Sequence, residues 1–185
     1  MHQLGWIIDL TRCVGCHTCT VACIGENNTI PSDGVLPMKG EITTAVKYRR
    51  VLERESGRFP YVSKEFVTMS CHHCESPACM ASCPEGAITK RSSDGIVLID
   101  QEKCIGCRYC VWACPYGAPQ FNAVTSKVEK CTFCVHRIDA GLQPACATAC
   151  LGKAIRVGTD VGGPGDPPEG FADPRLTGPS IRWER

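Results

Sequence analysis

The chain has 185 residues, with 20 lysines and arginines against 19 aspartates and glutamates and a formal net charge of +1. This balance, without any long block of like charge, excludes the basic surface that marks a nucleic-acid-binding protein. Sixteen residues are cysteine, a density typical either of secreted modules joined by disulfides or of proteins whose thiolates hold metal.

The first predicted element is a short strand around Ile7-Ile8-Asp9. A secretory signal needs an apolar stretch of roughly 7 to 15 residues, and Asp9, Arg12 and Cys13 interrupt any such stretch. A membrane-spanning helix needs ~20 apolar residues, whereas Ile96-Val97-Leu98-Ile99 is among the longer aliphatic runs. We therefore expect synthesis in the cytoplasm, no signal peptide of the chain's own and no direct transmembrane insertion.

The cysteines fall into four groups that each begin with a two-residue gap and end with a three-residue gap. In chain order the groups are Cys13, Cys16, Cys19 and Cys23; Cys71, Cys74, Cys79 and Cys83; Cys104, Cys107, Cys110 and Cys114; and Cys131, Cys134, Cys146 and Cys150. The middle gap is two residues in groups one and three, four in group two and eleven in group four. Leu98-Ile99-Asp100 precedes group three just as Ile7-Ile8-Asp9 precedes group one. This likeness indicates that the chain is built from a repeated unit.

The cysteine-free segment between groups one and two has the pattern of a β-hairpin. Alternation from Val46 to Glu53, a turn signal at Ser56-Gly57 and a second segment from Tyr61 to Val67 predict it. Elsewhere each group is expected to lie between a short strand and a brief helix. Ile88, Ile96 and Ile155 would lie in such strands.

Residues 158–185 are crowded with Gly, Pro and charged residues, including Gly162-Gly163-Pro164-Gly165. Such a segment buries little apolar surface alone, so we expect an extended tail that is mobile or lies across a partner.

The x2, x2, x3 spacing followed by proline, as at Cys114-Pro115, is the signature of bacterial ferredoxins, whose 4Fe-4S clusters each take four thiolates. In that arrangement the fourth cysteine of each group serves the other cluster. Pairing group two with three, and group one with four, divides the sixteen cysteines into four clusters. The expected ligand sets are Cys13, Cys16, Cys19 and Cys150 (cluster 1); Cys71, Cys74, Cys79 and Cys114 (cluster 2); Cys104, Cys107, Cys110 and Cys83 (cluster 3); and Cys131, Cys134, Cys146 and Cys23 (cluster 4).

The predicted fold is α+β, with nested tandem ferredoxin-like units, an inserted hairpin and an irregular C-terminal tail. The four-cluster domain would span residues 1–157, with the insertion at 24–70 and an inner two-cluster unit at 71–123. The tail would span 158–185.

Several side chains beside the ligands have two interpretations each. Basic residues beside a ligand either raise the reduction potential of an anionic cluster or are solvated surface charges, and the two interpretations have equal weight. These residues are Arg12, Lys103, Arg108 and Lys130. Histidines can ligate iron in Rieske centres, but a full cysteine set disfavours this role for His17, His72, His73 and His136. For Tyr109 and Trp112, packing is favoured over a position on an electron path.

Two other classes of protein compete with an iron–sulfur protein. Paired Cys-x2-Cys elements also build zinc sites, but these do not explain three closely spaced cysteines plus a fourth before proline. A disulfide module is supported only by the even cysteine count. No separate acid, base or nucleophile constellation remains, so we expect no catalytic residues in this chain.

The motifs resemble the four-cluster ferredoxin-like subunits of the dimethyl sulfoxide reductase family, including polysulfide and thiosulfate reductase partners, over most of residues 4 to 157. The segments that carry the resemblance are 71–79, Cys83-Pro84-Glu85-Gly86-Ala87, 130–134 and 137–146. Cys107 stands where the nitrate reductase relative has a tryptophan and a three-iron cluster, and Leu151 departs from the proline of many relatives.

The resemblance implies a subunit that relays single electrons. Its partners would be a molybdenum or tungsten pterin catalytic subunit and a quinone-linked membrane subunit or a soluble carrier. Any membrane association or export would then occur through a partner. A similar subunit serving a carbon monoxide dehydrogenase, hydrogenase or formate dehydrogenase is the alternative.

Overall fold

The computed structural model describes residues 2–29 and 46–185. Residues 30–45 of the predicted insertion lie outside the described residues. Within those ranges the helices are short: α1 (Thr18–Asn27), α2 (Ala78–Ala81), α3 (Tyr109–Ala113), α4 (Val135–Asp139), α5 (Ala145–Thr148) and a 3-10 turn at Pro174–Leu176. The strands are β1 (Leu4–Asp9), β2 (Arg49–Arg58), β3 (Tyr61–Ser70), β4 (Ile88–Lys90), β5 (Val97–Ile99), β6 (Gln120–Asn122), β7 (Lys127–Glu129), β8 (Ile155–Thr159) and β9 (Ile181–Glu184). None of these helices has the length and apolar character to cross a bilayer.

The first strand is the centre of a three-stranded sheet with the order β8-β1-β9. β1 pairs antiparallel with β8, so that Trp6 lies opposite Val157, and parallel with β9, so that Trp6 also lies opposite Ile181. Ile8 and Trp183 are buried in the same layer. Burial of these large side chains on one face favours strand pairing. The sheet thus brings the first strand of the described chain together with its last two strands.

The segment expected to be an extended tail that is mobile or lies across a partner contains a strand, β9, that pairs with β1 of the chain itself. Its boundary at 157/158 falls inside β8, and β9 belongs to the same sheet as β1. Ile181 and Trp183 alternate with Arg182 and Glu184, which is the pattern of a half-buried strand. This short alternating segment forms a strand even though many Gly and Pro residues precede it.

The predicted hairpin is present as β2 and β3, paired antiparallel from Arg49 opposite Ser70 to Arg58 opposite Tyr61. The turn was predicted wrongly: Phe59-Pro60 closes the hairpin, whereas Ser56 and Gly57 pair within the strands. Gly57 has φ +87, and a Cβ there would lie 2.1 Å from the carbonyl oxygen of Tyr61. Glycine is thus required by the strand geometry, which accounts for the false turn signal.

The cysteine groups lie in loops that lead into short helices. Helices α1 and α5 contact each other, as do α2 and α3, so groups one and four, and groups two and three, are neighbours in space. Ile88 lies in β4 and Ile155 in β8, while Ile96 directly precedes β5. The mixed helix and strand content of the predicted fold is confirmed.

Two buried clusters of side chains form the core, and cysteines contribute to both. The larger cluster includes Trp6, Ile8 and Phe133 together with five buried cysteines. The smaller one surrounds Ile88, Val97 and Val128 and contains three. Aliphatic and aromatic residues therefore pack directly against the walls of the cysteine loops.

Candidate iron–sulfur sites

Three cavities in the chain are each lined by four cysteines. The empty space, including the open mouth, is about 340 Å³ in cavity 1, about 350 Å³ in cavity 2 and about 320 Å³ in cavity 3. The cysteines are Cys13, Cys16, Cys19 and Cys150 in cavity 1; Cys71, Cys74, Cys79 and Cys114 in cavity 2; and Cys83, Cys104, Cys107 and Cys110 in cavity 3. Each cavity thus takes three cysteines from one group and the fourth from another.

The remaining four cysteines, Cys23, Cys131, Cys134 and Cys146, also lie close to one another, and we call them the fourth set. Burial, together with the nearby thiols of Cys146 and Cys134, raises the pKa of Cys23 to about 12 against the opposing charge of Arg49. Burial likewise raises the pKa of Cys131 strongly, with added contributions from Cys23, Cys71 and Cys146. The fourth set is therefore buried and adjoins cavity 2 at Cys71.

Left-handed backbone positions shape the loops around cavities 1 and 3. Gly15 has φ +69 and Gly106 has φ +71, at matching positions of their groups. A Cβ at Gly15 would lie 2.3 Å from the ring of Phe66, and one at Gly106 would lie 2.2 Å from the carbonyl oxygen of Ser126. The amide of Gly15 lowers the pKa of Cys13 against the larger effect of burial. Only glycine allows this tight winding beside a neighbouring chain segment.

The donors in these cavities suit a four-iron cluster. Each cavity offers four thiols around a space of about 320 to 350 Å³ that includes its open mouth, and a cubane cluster takes four thiolates at its four irons. All sixteen cysteines are free of disulfides. Within residues 2–29 and 46–185, no three His, Cys, Asp or Glu side chains converge closely enough to hold a single metal ion, as a zinc site needs.

Cavity 2 is closed by the tail. The hydroxyl groups of Tyr116 and Thr177 are 2.9 Å apart, and both residues line the cavity. The amide of Glu75 donates to the carbonyl oxygen of Gly178 at 2.7 Å. Phe171 stacks on Tyr116 with ring centroids 5.1 Å apart. The tail therefore shields the second cysteine group from solvent.

The basic residues beside the ligands divide into surface and buried positions. Arg12 pairs with Asp9 at 3.3 Å, and Lys103 pairs with Asp100 at 3.8 Å, both at the surface. The guanidinium of Arg108 lies 3.7 Å from the ring centroid of Phe121 beside cavity 3. Lys130 is buried, lines cavity 2 and donates from Nζ to the carbonyl oxygens of Val97 and Cys131.

Of the four histidines that lie in or next to the cysteine groups, two are buried near cavity 2. Burial lowers the pKa of His72 to about 3, with smaller contributions from Arg49 and Arg50, and burial lowers the pKa of His73 well below its usual value. Both imidazoles are therefore neutral at pH 7. His73 Nδ1 accepts the amide of Val97 at 3.0 Å, and His72 packs against Tyr116 with ring centroids 4.4 Å apart.

The other two histidines lie at the surface in contact with glutamates. His17 Nε2 is 3.7 Å from Glu53, and His136 Nε2 is 2.7 Å from Glu26. These contacts are ordinary surface polar pairs.

Tyr109 and Trp112 do not pack in the described chain, contrary to the expectation from the sequence. Their exposed fractions are 60% and 86%. In α3 Cys110 is the buried residue, and Tyr109 and Trp112, which are three residues apart and so share one side of the helix, lie on its exposed side.

The sequence reasoning also missed a functional candidate, Arg49. This arginine lies at the start of β2, more than twenty residues from any cysteine in sequence, yet it is buried against the cysteine loops. The only sign of this burial in the sequence was that Arg49 and Val51, two residues apart in the predicted hairpin, would lie on the same face of a strand.

Comparison with known proteins agrees with this geometry. Residues 62–160 match the family described as the 4Fe-4S dicluster domain. One subunit of the selenate reductase of Mesobacillus selenatarsenatis is 40% identical over 193 residues, covering 85% of this chain and 61% of that protein. One subunit of the tetrathionate reductase of Salmonella typhimurium is 43% identical over 157 residues, covering 85% of this chain and 58% of that protein. A probable anaerobic dimethyl sulfoxide reductase chain of Escherichia coli is 39% identical over 164 residues, covering 84% of this chain and 73% of that protein.

The folded cysteine loops and their cavities define an iron–sulfur protein of the ferredoxin type. The chain belongs to the 4Fe-4S dicluster family, and the predicted resemblance to the iron–sulfur subunits of the dimethyl sulfoxide reductase family is confirmed. The chain spans about three fifths of the length of the selenate and tetrathionate reductase subunits that it matches.

Proposed function

We propose that this chain is the electron-transfer subunit of a molybdenum- or tungsten-pterin oxidoreductase and holds four 4Fe-4S clusters on its sixteen cysteines. The observation that carries the proposal is the mixed origin of each cavity, with three cysteines from one group and the fourth from another. That exchange is the ligation pattern of two-cluster ferredoxins. A nested arrangement, with groups two and three inside groups one and four, accounts for it.

The assigned ligands follow from the cavities. Cavities 1, 2 and 3 would hold clusters 1, 2 and 3 on the cysteines that line them, and the fourth set would hold cluster 4. The clusters supply reversible one-electron chemistry, while the chain's own residues position them, exclude water and set their electrostatic surroundings.

The arrangement supports a linear relay. Cys19 of cavity 1 interacts with Cys146 of the fourth set, and Cys131 of the fourth set interacts with Cys71 of cavity 2. Helices α2 and α3 then join cavity 2 to cavity 3. The order is therefore cavity 1, the fourth set, cavity 2 and cavity 3, along which an electron passes between neighbours in either direction.

The two ends of this order reach the surface. Cys16 in cavity 1 and Cys107 in cavity 3 are both exposed, whereas the cysteines of the fourth set are buried. Leu151 is 74% exposed near the first end, and Trp112 is 86% exposed near the second. Exposed apolar side chains beside exposed ligands fit docking faces for two redox partners. We assign these faces to the pterin-containing subunit and to a membrane quinone-linked subunit or soluble carrier.

The functions of the relatives favour this complex over a carbon monoxide dehydrogenase, hydrogenase or formate dehydrogenase. They are subunits of selenate, tetrathionate and dimethyl sulfoxide reductases. The substrate of the complex is decided in its catalytic subunit.

Anaerobic purification of the native complex tests the proposal. We expect about sixteen irons and a matching amount of acid-labile sulfide per chain, with a molybdenum- or tungsten-containing subunit identified by mass spectrometry. A value of about eight irons per chain would mean that only one of the two proposed ferredoxin-like units holds clusters. Colourless material without sulfide would contradict the proposal as a whole.

Replacement of an exposed ligand tests the assignment of cavity 3. Cys107→Ser should convert or destroy one cluster and leave the paramagnetic spectra of the other reduced clusters intact. An unchanged spectrum would exclude Cys107 as a ligand.

A further inference from the structure

Arg49 is a buried cation at the base of the hairpin. Only 1% of its surface is exposed. Its Nη1 donates to Thr68 Oγ1 at 3.1 Å and its Nη2 donates to Ser70 Oγ at 2.8 Å, while its Cζ lies 4.4 Å from the ring centroid of Trp6. These contacts orient the guanidinium but bring no negative charge to it.

One donor of this guanidinium has no partner. The Nε of Arg49 is buried and makes no hydrogen bond within residues 2–29 and 46–185. Burying a charge costs free energy unless an opposite charge lies close by. The unpaired donor and the buried charge together point to an anion next to Arg49.

The thiols of two cysteine sets surround this position. Burial lowers the pKa of Arg49, but Cys146, Cys131, Cys19 and Cys23 outweigh it, so the pKa stands above its ordinary value. Cys19 lines cavity 1, and the other three belong to the fourth set. Arg49 therefore lies between two neighbouring sets of cluster ligands.

The strand pairing of the hairpin fixes Arg49 in this place. Arg49 lies opposite Ser70 in the β2–β3 ladder, and Thr68 lies two residues before Ser70 on the same face. The Thr68 hydroxyl is also 3.7 Å from Cys19 Sγ. It thus joins the guanidinium to a ligand of cavity 1, while Cys71 of cavity 2 follows Ser70 directly.

We propose that Arg49 is a positioning residue that neutralises charge between the clusters of cavity 1 and the fourth set and so raises the reduction potentials of both. This inference rests on the proposed function, because it requires clusters at those two places. It goes further by assigning a specific electrostatic role to one side chain that ligates no iron.

The physical argument concerns the charge added on reduction. A cluster with four thiolate ligands is anionic in both oxidation states and gains one negative charge when it accepts an electron. A buried cation between two clusters stabilises the reduced form of each. It also weakens the repulsion between the two reduced clusters, so both can carry an electron at the same time.

Redox titration of variants in the native complex tests the proposal. Arg49→Met removes the charge and keeps a long apolar stem, and Arg49→Lys keeps the charge. Arg58→Met is the matched control, because Arg58 lies at the far, exposed end of the same hairpin. Each sample is poised with a one-electron reductant such as titanium(III) citrate and followed by electron paramagnetic resonance.

We expect Arg49→Met to lower the midpoint potentials of two clusters by at least about 59 mV, equivalent to a tenfold smaller ratio of reduced to oxidised form at a fixed potential. Arg49→Lys should retain most of the wild-type potentials, and Arg58→Met should retain all of them. Unchanged potentials in Arg49→Met with full iron content would overturn the proposal.

A second variant tests the proposal if the Arg49→Met protein fails to assemble its clusters. Thr68→Val removes the hydroxyl that joins Arg49 to Cys19 and preserves side-chain shape. It should lower the potential of one cluster and leave the other three unchanged. If Arg49→Met loses iron, an unshifted Thr68→Val protein would overturn the proposal and leave Arg49 with a packing role.

The iron content of the wild-type protein separates the two proposals. Full iron content with potentials that do not respond to these variants would reject the role of Arg49 and leave the proposed function standing. A wild-type chain without iron would reject both.

Discussion

The indole of Trp6 stacks on the ring of Phe133, with ring centroids 4.1 Å apart and an interplanar angle of 24°. Trp6 comes from β1, and Phe133 lies between two cysteines of the fourth set, so the stack fixes one group of cluster ligands against the central sheet. Trp6 Nε1 also donates to the carbonyl oxygen of Cys71 at 3.0 Å. The Trp6 side chain therefore contacts both the second and the fourth cysteine groups.

Replacing Trp6 by Phe should destabilise the holo-protein by about 1–3 kcal/mol, because the buried carbonyl oxygen of Cys71 would lose its 3.0 Å hydrogen bond and keep only the 3.4 Å one from Ser70 Oγ. The measurement is the urea midpoint for loss of cluster absorbance under anaerobic conditions. Trp112→Phe is the control: Trp112 is 86% exposed, so its change should stay within about 0.5 kcal/mol. Equal shifts in the two variants would contradict the assigned role of Trp6.

Gly106→Ala should prevent assembly at cavity 3. The added Cβ would lie 2.2 Å from the carbonyl oxygen of Ser126, at a residue with φ +71. Iron analysis should then give about twelve irons per chain in place of about sixteen. Gly25→Ala is the control, since no atom of residues 2–29 or 46–185 lies within 4 Å of a Cβ there and α1 should gain about 0.5–1 kcal/mol. Full iron content in Gly106→Ala would show that the loop tolerates the side chain.

Lys130→Met should lower the reduction potential of the cluster in cavity 2. The Lys130 side chain is buried, and its charge lies near Cys79, whose pKa is raised to about 12 mainly by burial and is lowered in part by this lysine. Lys103→Met should produce little shift, because Lys103 is exposed and its charge is screened by solvent. Redox-poised paramagnetic spectra of both variants provide the comparison. A larger shift in Lys103→Met would refute the claim that burial decides the effect.

Trp183→Ala should destabilise the chain by about 3–5 kcal/mol, the range for truncation of a buried tryptophan. Trp183 is 1% exposed and packs against His72 and Phe171, with ring centroids 6.4 and 5.9 Å away. The cluster in cavity 2 should also lose iron faster to a chelator than the wild-type cluster does. Leu176→Ala, at a site that is 65% exposed, should change neither quantity. Equal chelation rates in both variants would mean that the tail does not shield cavity 2.

Cysteine spacing is a local constraint, so the sequence alone was enough to group the cysteines into proposed ligand sets. The ferredoxin rule grouped Cys83 with Cys104, Cys107 and Cys110, and these four cysteines line one cavity. The ligand sets themselves remain predictions. The hairpin was also predicted, because two alternating segments flank it.

Features that depend on contacts between distant segments were not predicted. Beyond its alternation with Val51, Arg49 carries no local sign of burial, since its environment is built by Thr68, Ser70 and Trp6. Arg12 and Lys103 were proposed from their positions next to cysteines, but both point to the surface. Adjacency in sequence does not set the direction of a side chain, and long-range packing does.

The central strand of the β8-β1-β9 sheet has a consequence for biosynthesis. β1 leaves the ribosome before its two neighbours, which come from Ile155–Thr159 and Ile181–Glu184. Cavity 1 likewise waits for Cys150, whereas all cysteines of cavities 2 and 3 have been translated once Cys114 is made. The cysteines of cavities 2 and 3 are therefore all made before those of the other two sets are complete, while the tail that covers cavity 2 at Thr177 is translated last.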